Sequence, residues 1–195
     1  MPSKPSSLLF RCPPRWRASS HGGIDRGIIP AAIASWLFES GSLTQRLRAL
    51  YGHEFRVMVL SQEWAKPWGE ESRILKLRPG RRAIVREVAL QGGDQPLVVA
   101  RSVIPARTLR GADRRLANLG TKPLGHILFN DPRLRRLHLS LTRVAPTDWR
   151  PVLPFQEIPN EPVWGRRSLY SLGPGHTLLV AEFFLPTLLH RHEPA

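Results

Sequence analysis

Two pairs of apolar runs, each joined by a glycine turn, restrict what this chain can fold into. Ala83–Leu90 and Leu97–Ile104 flank Gln91-Gly92-Gly93-Asp94-Gln95. Trp164–Leu172 and His176–Leu185 flank Gly173-Pro174-Gly175. Short apolar runs around residues that tolerate positive φ read as β-hairpins, and hairpins build antiparallel sheets. Each hairpin also carries a charge where a strand should be apolar. Alternation puts Arg86 on one face with Ile84, Val88 and Leu90, and Glu182 on one face with Val180 and Phe184. A charge on an apolar face is costly unless it is paired or meets a charged ligand. Arg86 and Glu182 therefore either pair with each other or with another residue as structural salt bridges, or are candidate site residues.

The remaining chain supplies helices and further strands. Pro30 opens a helical pattern through Ile33, Trp36 and Leu37, broken by Ser40-Gly41-Ser42, after which Leu43, Leu47 and Leu50 recur at helical spacing. Phe55–Leu60 reads as a strand, and the stretch 61–72, with Pro67 and Gly69, as a loop. Thr108–Leu119 reads as a helix stopped by Gly120, Pro123–Phe129 as a shorter helix, and the alternation at Leu137, Leu139 and Leu141 as a half-buried strand. Ala145–Pro162, with its repeated prolines, reads as a loop. The expectation is a single α+β domain over 28–188, preceded by a basic, Pro/Ser-rich arm over 1–27 and followed by a polar tail over 189–195. Its sheet should be antiparallel, with about six strands and short helices on one side or end.

The net charge of +14 invites a nucleic-acid partner, but only Lys4, Lys66, Lys76 and Lys122 are lysines. The rest is arginine scattered through strands, turns and helices alike. A general arginine bias accounts for that, so no nucleic-acid partner is expected, although such a field draws small anions toward a cleft. Cys12 stands alone, which excludes an intrachain disulfide and a thiolate metal cluster and suits a reducing cytoplasm. No metal site is expected; His190 and His192 have ligand-like spacing but lie in the polar tail. No apolar run reaches the roughly 18 residues of a membrane span, so stable insertion is not expected. The first 24 residues lack Asp and Glu, as transit peptides do, but show no amphipathic repeat and read as a loose arm.

A ligand class follows from the first hairpin. Leu97, Val99, Arg101 and Val103 share a face, and with a connecting loop of about four residues Arg86 and Arg101 stand directly opposite. Two guanidiniums on an apolar face need an anion beside them, and arginine binds carboxylate bidentately. An apolar pocket with one or two arginines and a buried glutamate suits a small organic carboxylate that also carries a hydroxyl. Alternatively, Arg101 pairs with Glu87 or Glu182 and binds nothing.

The segment Leu119-Gly120-Thr121-Lys122-Pro123-Leu124-Gly125-His126-Ile127-Leu128-Phe129 resembles a signature of the bacterial chorismate pyruvate-lyase family. Trp36-Leu37 with Ser42-Leu43-Thr44, Val85-Arg86-Glu87, Ala100-Arg101, Trp164-Gly165-Arg166-Arg167-Ser168 and Glu182-Phe183-Phe184-Leu185-Pro186 match in the same order. The resemblance spans roughly Pro30 to Pro186. It implies the chorismate-lyase-like fold and elimination of pyruvate from chorismate, giving 4-hydroxybenzoate for ubiquinone biosynthesis. It further implies no cofactor, and chorismate as the small-molecule partner of a cytoplasmic monomer. Carried over by position, the substrate-binding arginine falls on Arg86, the buried glutamate on Glu182 and a backbone contact on Leu124. A further contact falls on Leu43, where the family pattern has Met. Arg86 and Glu182 are the implied catalytic residues. The basic arm and the Pro-rich stretch before Trp164 depart from the pattern. Effector-sensing domains of some bacterial regulators share this fold without catalysis, but they follow a winged-helix domain, for which the stretch before Pro30 is too short.

Overall fold

Both hairpins form, and they meet at the centre of one sheet. The computed structural model describes residues 7–19, 26–151 and 158–190. Its strands are β1 (Arg17–Ala18), β2 (Phe55–Ala65), β3 (Ala83–Gly92), β4 (Gln95–Pro105), β5 (Arg135–Val144), β6 (Val163–Ser171) and β7 (Thr177–Phe184). They lie in the order β1-β5-β6-β7-β4-β3-β2, every neighbouring pair antiparallel. Among the described residues five short α-helices accompany them: α1 (Ala31–Leu37), α2 (Leu43–Tyr51), α3 (Gly69–Ile74), α4 (Leu124–Phe129) and α5 (Pro186–His190).

Both faces of the sheet are covered. On one, α1, α2 and α5 set Trp36, Leu37, Leu47 and Leu188 against Val88, Val98 and Phe184. Beside them, Leu116, Leu119 and Leu128 cover Ile84, Ile104 and Val180. On the other, Leu9, Phe10 and Trp149 pack on Ala89, Val99 and Phe183, and Leu75 on Val85, Val103 and Leu179.

Four local expectations change. The stretch 61–72 is not all loop: a bulge between Val59 and Ser61 lets β2 run on to Ala65, and Glu71 accepts the Trp68 N–H at 2.9 Å to start α3. Thr108–Leu119 does not form an α-helix but a 3-10 turn over Gly111–Ala117 that begins after Arg110, while Thr108 Oγ1 donates to the Thr177 carbonyl and ties the segment to β7. The arm is not loose over 7–19. Leu9 and Phe10 are buried, Phe10 bridges to Trp149, β1 pairs with β5, and Ser7 Oγ donates to Glu87 at 2.6 Å. The fourth change reverses a side chain. Gly92 pairs with Gln95, with Gly93 at φ 63 in the turn, but a bulge opposite Leu90 and Gln91 adds one residue, Leu97, to β4. Arg86 therefore faces Ser102, and Arg101 faces Glu87. A one-residue slip moves a side chain to the other face of the sheet, so Arg101 lies on the far side from Arg86. Residues 1–6 and 20–25 of the arm, 152–157 of the Pro-rich stretch and 191–195 of the tail, including His192, lie outside the described residues.

Candidate active site

The middle of the sheet is hollow because β4, beside the central strand β7, is small-sided there. On β4, Ala100 and Ser102 face the helices, with Arg86 opposite Ser102 on one neighbour and Glu182 opposite Ala100 on the other. From strand spacing and rise, the Arg86 and Glu182 backbones stand roughly 12 Å apart on one face. Two charged side chains thus reach over a low floor rather than into each other. The cavity occupies about 560 Å³, mouth included. Arg86, Glu182, Leu43 and Leu124 all line it, together with apolar walls such as Val88, Val180 and Phe129.

Arg86 is 2% exposed. Its Nη1 donates to Gln62 Oε1 at 2.6 Å and its Nη2 to the Gly120 carbonyl at 2.9 Å and, more weakly, the Lys122 carbonyl at 3.4 Å. All three acceptors are neutral, and among the described residues no carboxylate lies within ion-pairing distance. Burial accordingly pulls its pKa below that of an ordinary guanidinium. Neutral dipoles orient this cation without neutralising it, which suits it to an incoming anion.

Glu182 is held differently. Its Oε2 accepts from Arg166 Nε at 2.5 Å across the β6–β7 pair. Arg166 is 1% exposed, and its Nη1 donates to the Trp36 and Glu39 carbonyls at 2.9 and 2.8 Å. Burial opposes the Arg166 charge, but Glu182 more than offsets it and raises the guanidinium pKa. Arg86 and Arg101, the partners considered for Glu182 from the sequence, do not pair with it. Counting back through the hairpin from Ser171 opposite Thr177 leads to Arg166 opposite Glu182, so turn register was the signal that could have identified it.

Leu43 and Leu124 are the first residues of α2 and α4, where backbone N–H groups have no acceptor inside the helix. A Cβ on Gly125 would meet Thr44 Oγ1 at 3.0 Å and Ser42 Oγ at 3.3 Å. Glycine there lets the two helix starts approach each other over the cavity.

Arg101 takes no part in the cavity. It donates to Glu71 at 2.8 and 3.0 Å and to Glu87 at 2.9 Å, and stacks over Trp68 at 3.9 Å from the ring centre. Pairing with Glu87 is thus one of the alternatives open from sequence; pairing with Glu182 is not observed.

Fold and site define a class: an antiparallel α+β sheet that encloses an apolar cavity around a cation without a carboxylate partner and a separately paired carboxylate. Residues 20–193 match the family described as chorismate lyase. The chain is 53% identical over 163 residues to the "Probable chorismate pyruvate-lyase" of Methylococcus capsulatus, covering 84% of this chain and 100% of that one. It is 43% identical over 165 residues to the protein of the same name from Thiobacillus denitrificans, covering 82% and 86%. In three dimensions it resembles the crystal structure of a Staphylococcus aureus gene product with a TM-score of 0.52 and 12% identity, over 75% of this chain and 89% of that one, a likeness of fold alone. The chain belongs to the chorismate lyase family.

Proposed function

We propose that the protein eliminates pyruvate from chorismate to give 4-hydroxybenzoate, with Arg86 and Glu182 as its central residues. One observation carries the reading. Arg86, buried without a carboxylate partner, and Glu182, held by Arg166, project into the same cavity from either side of a floor made by Ala100 and Ser102. A ring with a carboxylate at one end and a hydroxyl at the other spans such a site. Arg86 takes the ring carboxylate, and Glu182 the hydroxyl end. The backbone N–H groups that open α2 at Leu43 and α4 at Leu124 add donors for the anion.

The reaction balances with chorismate alone. Glu182 takes the proton from the hydroxyl-bearing ring carbon, and that electron pair completes the aromatic ring. The ring-to-oxygen bond of the enolpyruvyl ether breaks, and the departing enolate takes a proton to become pyruvate. No electrons leave the pair of products and no water enters, so the chemistry calls for no cofactor. The cavity supplies orientation and exclusion of water, the larger part of what such a step needs. The product is the 4-hydroxybenzoate that the family resemblance places in ubiquinone biosynthesis.

Incubation of the purified protein with chorismate tests this. Equimolar 4-hydroxybenzoate and pyruvate, formed at a rate proportional to protein, is the expected result. Binding of 4-hydroxybenzoate without turnover of chorismate would instead make the cavity an effector-sensing site.

A further inference from the structure

On the face of the sheet away from the cavity, a second feature has no part in this chemistry. Lys76, Arg78, Arg81, Arg82, Arg107 and Arg110 line one cleft between the end of α3 and the ends of β3 and β4. No carboxylate lines it, and among the described residues none lies within ion-pairing distance of these six side chains. The two acidic side chains of α3 that could have offset them are committed elsewhere, Glu70 to Arg167 and Glu71 to Arg101. Concentrating like charges in a concave cleft is unfavourable unless something anionic enters it.

The backbone supplies a second, independent observation. Lys76 has φ 49, the one non-glycine residue in the left-handed region among the described residues. It occupies the position just past a helix end where glycine is ordinarily found, with Leu77 N–H bonded back to the Ser72 carbonyl. Arg107 pins this turn by donating to the Leu75 and Lys76 carbonyls. A lysine is thus held at a costly position where two hollows meet. Lys76 and Arg107 also border a larger groove on whose walls lie Ile74, Leu169 and Leu137, the last 50% exposed. The cations therefore sit beside apolar surface. Neither hollow is lined by Phe, Tyr or Trp, so nucleic-acid bases would find no stacking platform.

We propose that this pair of hollows docks the protein on an anionic phospholipid surface, the basic cleft receiving a phosphate headgroup and the groove beside it apolar material from the bilayer. The attachment is peripheral: no helix among the described residues is long and apolar enough to cross a membrane. It is independent of the chorismate reaction, and its test does not rest on turnover.

The experiment is co-sedimentation of the full chain with vesicles at about 150 mM salt, where exposed charges more than about 8 Å apart are screened. One set contains phosphatidylglycerol and phosphatidylcholine, the other phosphatidylcholine alone. The protein should pellet with the first set only. Arg81→Glu with Arg82→Glu should weaken that binding about tenfold or more, whereas Arg48→Glu with Arg56→Glu, the same change in net charge on exposed residues outside the cleft, should weaken it far less. Leu137→Ser should weaken vesicle binding while leaving any binding of free glycerol phosphate unchanged. Thermal unfolding of each variant checks that it is folded. Equal losses in the two double variants would show diffuse charge and overturn the proposal. So would a protein that binds free glycerol phosphate but does not pellet with the phosphatidylglycerol vesicles, or displacement of vesicle-bound protein by duplex DNA at the same salt.

Discussion

Arg86 and Arg101 lie on adjacent strands of one sheet, each 2% exposed, and their surroundings are opposites. Arg101 is enclosed by two carboxylates and an indole ring, with Ser7 and the Leu8 N–H completing the coordination of Glu87. Arg86 is enclosed by an amide oxygen and two carbonyls and opens onto a cavity. Burying a guanidinium costs several kcal/mol before compensation. On the Arg101 face that cost is offset within the protein, joining α3, β3, β4 and the N-terminal segment. On the Arg86 face it is offset only in part, and the remainder is available to an anion. Burial of a charge alone does not mark a site; burial without an opposite charge does.

The sharpest way to break this contrast is to remove each arginine in turn. Arg86→Ala should lower kcat/KM for chorismate by on the order of a hundredfold or more, since charge-assisted hydrogen bonds are worth about 1.5–3 kcal/mol each, while thermal unfolding changes little by comparison. Arg101→Ala should do the reverse. It strands Glu71 and Glu87 and should cost about 3–5 kcal/mol of stability, with kcat/KM of the folded fraction largely retained. Denaturant unfolding and steady-state kinetics on both variants measure the two effects. If both lose stability alike, the two faces are equivalent and the contrast fails.

The next effect concerns the other end of the substrate. Glu182→Gln keeps the shape of the side chain and removes its charge. Turnover should fall by on the order of a hundredfold, the usual scale of general-base catalysis, mainly in kcat. A smaller loss confined to KM would assign Glu182 to orienting the hydroxyl.

Arg166 then distinguishes positioning from mere packing. Arg166→Gln removes the cation that holds Glu182 at 2.5 Å, so the carboxylate loses its fixed orientation toward the cavity. Steady-state kinetics should show kcat falling about tenfold or more while KM changes less. Arg166→Lys should recover part of the lost kcat. A purely structural arginine would lower the folded fraction in thermal unfolding and leave kcat of the folded protein unchanged.

How far these contrasts could be read in advance depended on register. Which strands carry buried charge was legible, because alternation within a strand is a local property. So was the union of Arg86, Glu182, Leu43 and Leu124 around one space, through the motifs of the resemblance. The face of Arg101 was not, because one bulge at Leu97, opposite Leu90 and Gln91, reverses it, and the Pro96 beside it is equally compatible with the plain start of a strand. Glu71 as its second partner was hidden for the same kind of reason, in a stretch whose Pro67 and Gly69 read as loop. Leu9 and Phe10 were overlooked because two apolar residues among prolines and arginines show no period. Their burial depends on Trp149 and Phe183, far away in sequence.

A third arginine, partly exposed, completes the comparison with the smallest effect. Arg133 is about half exposed and binds Asp131 at 2.7 Å and Asp113 at 2.8 Å, with Arg115 also on Asp131 at 3.3 Å. Hydrogen bonding from Arg133 is the chief cause that holds the Asp131 carboxyl at about 2, below its ordinary 3.8. A carboxyl whose pKa is lowered by folding stabilises the fold above its unfolded value and loses that contribution as pH falls through its folded one. The contribution of Asp131 should therefore be complete above about pH 4 and vanish toward about pH 2. Asp131→Asn should flatten the fall in stability over that window and leave the slope at neutral pH unchanged, as measured by denaturant unfolding at a series of pH values. Water screens this pair, so the effect should be well below that of Arg101→Ala. If Asp131→Asn were as damaging as Arg101→Ala at neutral pH, the enclosure of the Arg101 cluster would not be what sets it apart.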